Sequence, residues 1–333
     1  MPNKLLRSPQ NISSSGSTSA VQSAQLTITL DNAAAPQYTI IKPSIGTATV
    51  VFEYAELCRD YLNLTFNGSY PSSINALKID LEIKFFDGVN GTGSLVNTYT
   101  PPSQYGYDGY GVFVEGSSPT IPASETCISN YTQASGGAKT YTIYTPSGYS
   151  GKIPLLNSTG TAMLYESYST NDGTKQLSNN DIINIIRYGC SRFGNGLQVF
   201  FVNKYGAIQQ EWFTLKNIES IRSTSEKYNR NIIDASGSYD INTHTRQEFN
   251  VKATQEYVLN SDYMPEYYNQ VYTEMMLSEQ IWVRMQTFYT NSYITTPVNI
   301  KTKTLLYKTS VNDRLVQFTF SFDLSADYIN NIR

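Results

Sequence analysis

The amino-acid sequence predicts a mainly β protein with minor α content, built from antiparallel sandwich-like domains and ending in a module where a helix covers a sheet. Three observations carry that reading. Apolar and polar residues alternate at period 2 in one run after another, the signature of half-buried strands. Turn-forming pairs such as Asn67-Gly68 and Asp87-Gly88 close the runs. Clear helical spacing occurs in a single stretch, near residue 270.

Residues 1–24 come first and hold a Ser/Gly/Asn/Gln tract that lacks the apolar area to offset its ordering entropy. They are expected to form a flexible assembly arm, ordered only on a neighbour. Residues 25–218 follow as a β-rich domain. In it Leu26, Ile28 and Leu30 point one way and Thr27 and Thr29 the other, and Leu77, Ile79, Leu81, Ile83 and Phe85 oppose Lys78, Asp80, Glu82 and Lys84. Val50-Val51-Phe52 and the run from Tyr61 to Phe66 read as two more strands.

Residues 99–150 are loop-like, with Pro101-Pro102, the run Tyr105-Gly106-Tyr107-Asp108-Gly109-Tyr110-Gly111, and Gly136-Gly137. Tyr141 to Tyr144 is a possible strand inside this loop. Rigid rings on a pliable backbone suit a binding loop, but an ordinary packed surface loop is the preferred reading. Leu197 to Val202 and Ile208 to Phe213 form a hairpin through the linker Asn203-Lys204-Tyr205-Gly206. Residues 219–243 are polar and poorly periodic, a hinge or an inter-subunit arm.

The carboxy-terminal module spans 244–333. Pro265 opens a helix in which Tyr267, Val271 and Met275 recur every four residues, with Asp262 as its cap and an end near Leu277. Ile281, Val283 and Met285 then alternate as a strand, Val298 and Ile300 as another, and Val316, Phe318, Phe320, Phe322 and Leu324 as the last.

Composition narrows the function. Charged residues make up 15% of the chain, against about 25% in an ordinary soluble domain. Tyrosine occurs 27 times. Its large ring and wettable hydroxyl fit interfaces between subunits, and β-sandwich cores use it as well. A net charge of −3 without a basic stripe argues against nucleic-acid binding. Cys58, Cys127 and Cys190 have neither the spacing of a zinc site nor that of a disulfide framework. No stretch reads as a secretory signal or a membrane span, so the chain is expected to stay in the cytoplasm that makes it until something else exports it.

Catalytic chemistry finds little support. His244 is the single histidine, flanked by threonines and without a GxSxG elbow, so a triad would rest on it alone. Asn171-Asp172-Gly173 lacks the remaining spacing of a calcium loop and reads as a turn. Phosphate-binding glycine motifs are absent. Asp80 and Glu82 share a strand face with Lys78 and Lys84, which reads as a solvated charged face rather than a pair of catalytic carboxylates. No catalytic, cofactor-binding or metal-ligating residue is expected, and the chain is read as non-enzymatic.

Two stretches resemble a known group. Val199 to Ala207 with Trp212-Phe213, and the carboxy-terminal block from Met276 to Val283 through Phe318 to Phe322 and on to Ile329-Asn330-Asn331-Ile332-Arg333, are similar to structural proteins of phages infecting Bacteroidetes, crAss-like phages among them. The resemblance covers roughly the last 140 residues. It implies a virion component of the tail, neck or baseplate, assembled in the host bacterial cytoplasm, and brings no catalytic residues. The partners expected are further copies of the chain, in a sixfold or twelvefold ring, and other virion proteins. The alternative is a secreted or surface carbohydrate-binding β-sandwich, in which the Tyr105 to Tyr110 rings stack on sugars; a polysaccharide-degrading tail enzyme comes last.

Overall fold

The structure is a computed structural model that describes residues 3–62, 64–129, 132–135, 138–189, 196–286, 292–306 and 315–326. Strands account for 50% of the chain and helices for 8%, so the mainly β, sandwich-like class is observed. The chain divides into two compact units, and the division is not the one expected from sequence. Unit 1 comprises residues 1–189, 200–211 and 270–279; unit 2 comprises 190–199, 212–269 and 280–333.

Unit 1 is organised by a seven-stranded sheet. Its order is Thr120–Ile121, Asn3–Leu5, Gln104–Tyr107, Leu77–Phe86, Ser23–Leu30 and Tyr38–Pro43, with Leu95–Tyr99 also pairing to Leu77–Phe86. The alternation in Leu77–Phe86 is realised without a break, odd positions buried and even ones half-buried. Lys78 meets Asp80 at 3.0 Å and Lys84 meets Glu82 at 2.8 Å on the wet face, so the carboxylates there are ion-paired. Against the apolar face lie Ile12 from the ribbon Asn11–Ser15 and Val50 and Phe52 from its partner Thr49–Glu53, together with Cys58 from the short helix Ala55–Arg59. This closes the first sandwich layer. Burial pushes the Cys58 thiol up to about 12, which makes it an inert core residue. Cys127 is likewise buried and free, and Cys190 lies outside the described residues.

Two smaller sheets complete unit 1. Thr132–Ser135, Ala138–Pro146, Ile182–Tyr188 and Thr174–Gln176 form one, and Gly151–Leu156, Ala162–Tyr168 and Ser73–Asn75 form the other. The pairing of Ala138–Pro146 with Ile182–Tyr188 is parallel, as is that of Asn3–Leu5 with Gln104–Tyr107, where antiparallel sheets alone were expected. Both parallel pairs join strands far apart in the chain, as a parallel connection requires.

Several expectations need correction. Residues 1–24 do not form a separate arm. Asn3–Leu5 is an interior strand of the main sheet, and Leu5, Leu6, Ile12 and Val21 are buried. The apolar anchors are few and widely spaced, so the intervening Ser/Gly tract hid them. The region 99–150 is not one elaborated loop, since it contributes Gln104–Tyr107, Thr120–Ile121, Thr132–Ser135 and Ala138–Pro146; Gly136-Gly137 lies outside the described residues. The run from Tyr61 to Phe66 is not a strand where it is described, Asn63 lying outside the described residues. The preceding residues form the helix Ala55–Arg59 instead.

A second seven-stranded sheet has the order Ile208–Phe213, Leu197–Val202, Ile281–Gln286, Tyr293–Ile300, Thr319–Leu324, Arg246–Asn260 and Ile218–Asn229, and its last five strands belong to unit 2. The hairpin 197–213 runs through both units, with residues 200–211 in unit 1 and the rest in unit 2. The polar stretch 219–243 is no hinge. Most of it belongs to the strand Ile218–Asn229, which pairs with Arg246–Asn260 in a long antiparallel ribbon. The boundary expected at residue 244 falls inside the loop of that ribbon.

The helix over 265–277 is present as a 3-10 turn, Glu266–Tyr268, followed by the α-helix Asn269–Met276. Asp262 does not cap it; its carboxylate accepts the N–H of Tyr263 at 2.7 Å. Residues 270–279 belong to unit 1 and the final strand to unit 2, so the helix and this strand do not form one carboxy-terminal module. The final strand itself is interrupted. Leu315–Val316 pairs with Met264–Pro265, and Thr319–Leu324 pairs with both Arg246–Asn260 and Tyr293–Ile300.

Two experiments test this architecture. Deleting residues 1–22 removes an interior strand and four buried apolar side chains, so the truncated chain should lose cooperative unfolding of unit 1 in a thermal melt, whereas a detachable arm would leave it intact. Phe320 is fully buried and meets Phe213 edge-to-face at 6.1 Å. Phe320→Ala should cost about 3–5 kcal/mol in denaturant unfolding, and Thr319→Ala, on the exposed face, about 1 kcal/mol or less.

Candidate interaction surfaces

Among the described residues there is no cluster of three or more His, Cys, Asp or Glu side chains able to hold a metal ion. His244 is exposed in the loop between the two long ribbon strands. Asp172 accepts the N–H and hydroxyl of Ser169 at 2.6 and 2.8 Å, which makes Asn171-Asp172-Gly173 part of a turn. An open depression of ≈ 620 Å³ is lined by Ser103, Tyr105, Thr159 and Thr161.

The polar groups that do converge are buried and structural. Asn203, at the start of the hairpin turn, accepts the N–H groups of Tyr205 and Ala207 at 3.0 and 3.1 Å. Its amide nitrogen donates to the Cys127 carbonyl at 2.9 Å and to Gln209 Oε1 at 3.0 Å. Gln209 in turn accepts the Ser129 N–H at 2.7 Å and donates to the Ser129 carbonyl at 3.2 Å. Glu274 on the helix accepts the Ser129 hydroxyl, the Lys204 N–H at 3.0 Å and Gln270 Nε2 at 3.0 Å. Burial raises the Glu274 carboxyl above its ordinary value, and the bonds it accepts only partly oppose this.

An aromatic cluster surrounds the same hairpin tip. Phe66 lies 4.8 Å from Phe200, and Tyr70 lies 4.9 Å from Tyr165, whose hydroxyl accepts the Ile208 N–H at 3.0 Å. With Tyr54, Tyr107, Tyr141 and Tyr168 also buried, much of the tyrosine excess goes into this chain's own core.

The Tyr/Gly run is packed rather than displayed. Tyr107 is buried with its hydroxyl donating to the Gly160 carbonyl at 3.3 Å, and the Arg7 guanidinium sits 5.0 Å over the Tyr110 ring. A Cβ at Gly109 would stand 2.5 Å from the Lys204 carbonyl oxygen, so this glycine is needed for close approach. The rings invoked for sugar stacking are thus largely committed to the fold.

Two exposed apolar surfaces stand out, and neither was visible in the sequence. The first follows the Tyr/Gly run, where Val112-Phe113-Val114 leads into a 3-10 turn with Phe113 at 100% and Val114 at 89% exposure. Glu115 locks this turn, accepting the Val112 N–H at 2.8 Å while ion-paired to Lys204. The second is the ribbon of unit 2. Every residue of Ile218–Asn229 is exposed, as are residues 246–252 opposite, and the set includes Ile221, Tyr228, Phe249 and Val251. Its loop adds Ile233, Tyr239 and Ile241. Periodicity cannot reveal a strand that is wet on both faces, which is why this ribbon read as an irregular polar stretch.

Comparison with protein-family models, with curated proteins and with solved structures returns no match for this chain.

The buried carboxyl carries a pH signature. Its folded value lies above the ordinary 4.5, so the folded chain holds this proton more tightly than the unfolded chain does. The group's contribution is fully present below the ordinary value and is lost as pH rises through the folded value. Chemical unfolding of the wild type and of Glu274→Gln at pH 4.5 and pH 7 should show a shallower loss of stability with pH in the variant; identical slopes would show that the carboxyl does not titrate in this way.

Proposed function

We propose that this chain is a non-enzymatic structural subunit of a bacteriophage virion, acting in the tail, neck or baseplate by assembling with copies of itself and with other virion proteins. The observation that carries the assembly part is the ribbon of unit 2, a run of strand residues uncovered on both faces and rich in exposed apolar side chains. Isolated two-stranded ribbons are marginal in water, and large exposed apolar patches mark interaction sites. The exposed Val112-Phe113-Val114 turn, held rigid by Glu115, supports the same reading as a second contact. The phage assignment rests on the resemblance of the hairpin at 199–213 and of the carboxy-terminal block; residues 329–333 of that block lie outside the described residues. A sixfold or twelvefold ring is the arrangement this reading favours, since a repeated contact closes when its rotation permits.

The carbohydrate-binding reading depended on exposed rings from Tyr105 to Tyr110, and it loses Tyr107 to the core. The assembly reading is tested by the mass of the purified chain, alone and after incubation with the remaining virion proteins. An oligomer, or a complex with those proteins, is expected; a chain monomeric in both settings overturns the proposal.

A further inference from the structure

The strand Ile218–Asn229 ends the sheet of unit 2, pairing on one side with Arg246–Asn260 and on the other with nothing among the described residues. Free edges of this length are ordinarily blunted by charged side chains, by proline, by a bulge in the edge strand or by a covering loop. Of these, the strand carries charge, in Glu219, Arg222, Glu226 and Lys227. The strand contains neither proline nor glycine, and the bulge between Thr224 and Glu226 places its extra residue on the partner strand, leaving the edge continuous.

The edge is also complementary to itself. When two copies of Ile218–Asn229 are laid antiparallel about a twofold axis through Ser223, opposed residues share a face, as antiparallel pairing requires. Glu219 then faces Lys227, Ser220 faces Glu226 and Ile218 faces Tyr228, each pair occurring twice by symmetry. Opposite charges, a hydroxyl beside a carboxylate, and an aliphatic group beside a ring are all favourable cross-strand neighbours, and no like charges are opposed. Lys227 already lies 3.0 Å from Glu248 of its own ribbon, so Glu219 of the second copy would complete a three-membered charge cluster. Moving the axis by one residue to Thr224 opposes Arg222 to Glu226, but it sets Ile221 against Lys227 and leaves Ile218 without a partner in the strand.

We infer that a second copy of this chain occupies this edge, the two strands adding antiparallel about Ser223 to make one continuous sheet across the dimer. The inference rests on the assembly reading and specifies one of its contacts. Such a contact is isologous, so it joins subunits in pairs and leaves any ring to be closed by a different surface. The opposite edge of the same sheet is not the occupant, because Ile208–Phe213 is almost entirely buried.

The test uses the full chain. In the wild type a dimer, or a multiple of one, is expected by sedimentation at micromolar concentration. Ser223→Cys, on the axis, should cross-link two copies through a disulfide under mild oxidation. Ser225→Cys and the wild type should not, since an off-axis thiol lies too far from its symmetry mate. Lys227→Glu, which opposes Glu219 to a carboxylate, should weaken the dimer about tenfold or more, and Glu219→Lys combined with Lys227→Glu should recover part of that loss, the rest coming from the new carboxylate beside Glu248 of the same ribbon. An oligomer that is indifferent to Lys227→Glu and not linked by Ser223→Cys overturns this contact while leaving the assembly reading standing. A chain that stays monomeric alone and among the virion proteins overturns both.

Discussion

Unit 1 depends on one buried polar arrangement, the hydrogen bonds that radiate from Asn203, Gln209 and Glu274. Three segments far apart in the chain meet there: the stretch at Cys127–Ser129, the tip of the hairpin at 203–209 and the helix at 269–276. Backbone groups with no ladder partner would be costly to bury at such a junction, and each side chain removes that cost by bonding to the main chain. Asn203 bonds to two N–H groups of its own turn and to the Cys127 carbonyl, so turn geometry and long-range position are set together. Apolar packing alone would hold these segments close, but it is less directional, and the register of the hairpin follows from the hydrogen bonds.

The same arrangement accounts for the division of the chain. A helix that sequence places among the carboxy-terminal strands is drawn into unit 1 because Glu274 finds its donors there, Ser129 and the Lys204 main chain. Buried Val271, Tyr272 and Met275 provide the apolar part of that docking. Helical periodicity identified the face that is buried, through Val271 and Met275, but it carries no information about the surface that receives it.

This marks the boundary of what was legible. A strand with one dry and one wet face, such as Leu77–Phe86, was readable residue by residue, because burial on one side imprints period 2. The hairpin at 197–213 was readable through its Asn-to-Gly turn, where Gly206 takes the positive φ of 83° that the turn requires. Three classes of element were not. Asn3–Leu5 is too short to show a period, Ile218–Asn229 is exposed on both faces, and the helix Ala55–Arg59 buries only Ala55 and Cys58. The tyrosine excess was legible as composition but ambiguous as to use. Its resolution needs coordinates, since Tyr107 in a glycine-rich run is buried while Phe113, a few residues on, is fully exposed.

That contrast bears on function. The chain spends many of its tyrosines and its close-approach glycines on a packed interior, and leaves apolar side chains uncovered at two places, the hydrogen-bonded turn at 112–114 and the ribbon of unit 2, where Tyr228 and Tyr239 are exposed as well. A rigid exposed apolar group loses little conformational entropy when it is covered, so more of its burial free energy is available to association than for a flexible loop. Low charge density works in the same direction, because few ions must be desolvated when neutral polar surface is buried. The surface charges of the ribbon are spaced with opposite signs along one strand, Glu219, Arg222, Glu226 and Lys227. This pattern costs little in the free chain, where water screens it. Two edges meeting about Ser223 or about Thr224 both oppose unlike charges, and the pairing of Ile218 with Tyr228, lost about Thr224, is what separates the two registers. Affinity in such a contact would come from the shared main-chain ladder and the opposed charges, and its register from the apolar groups.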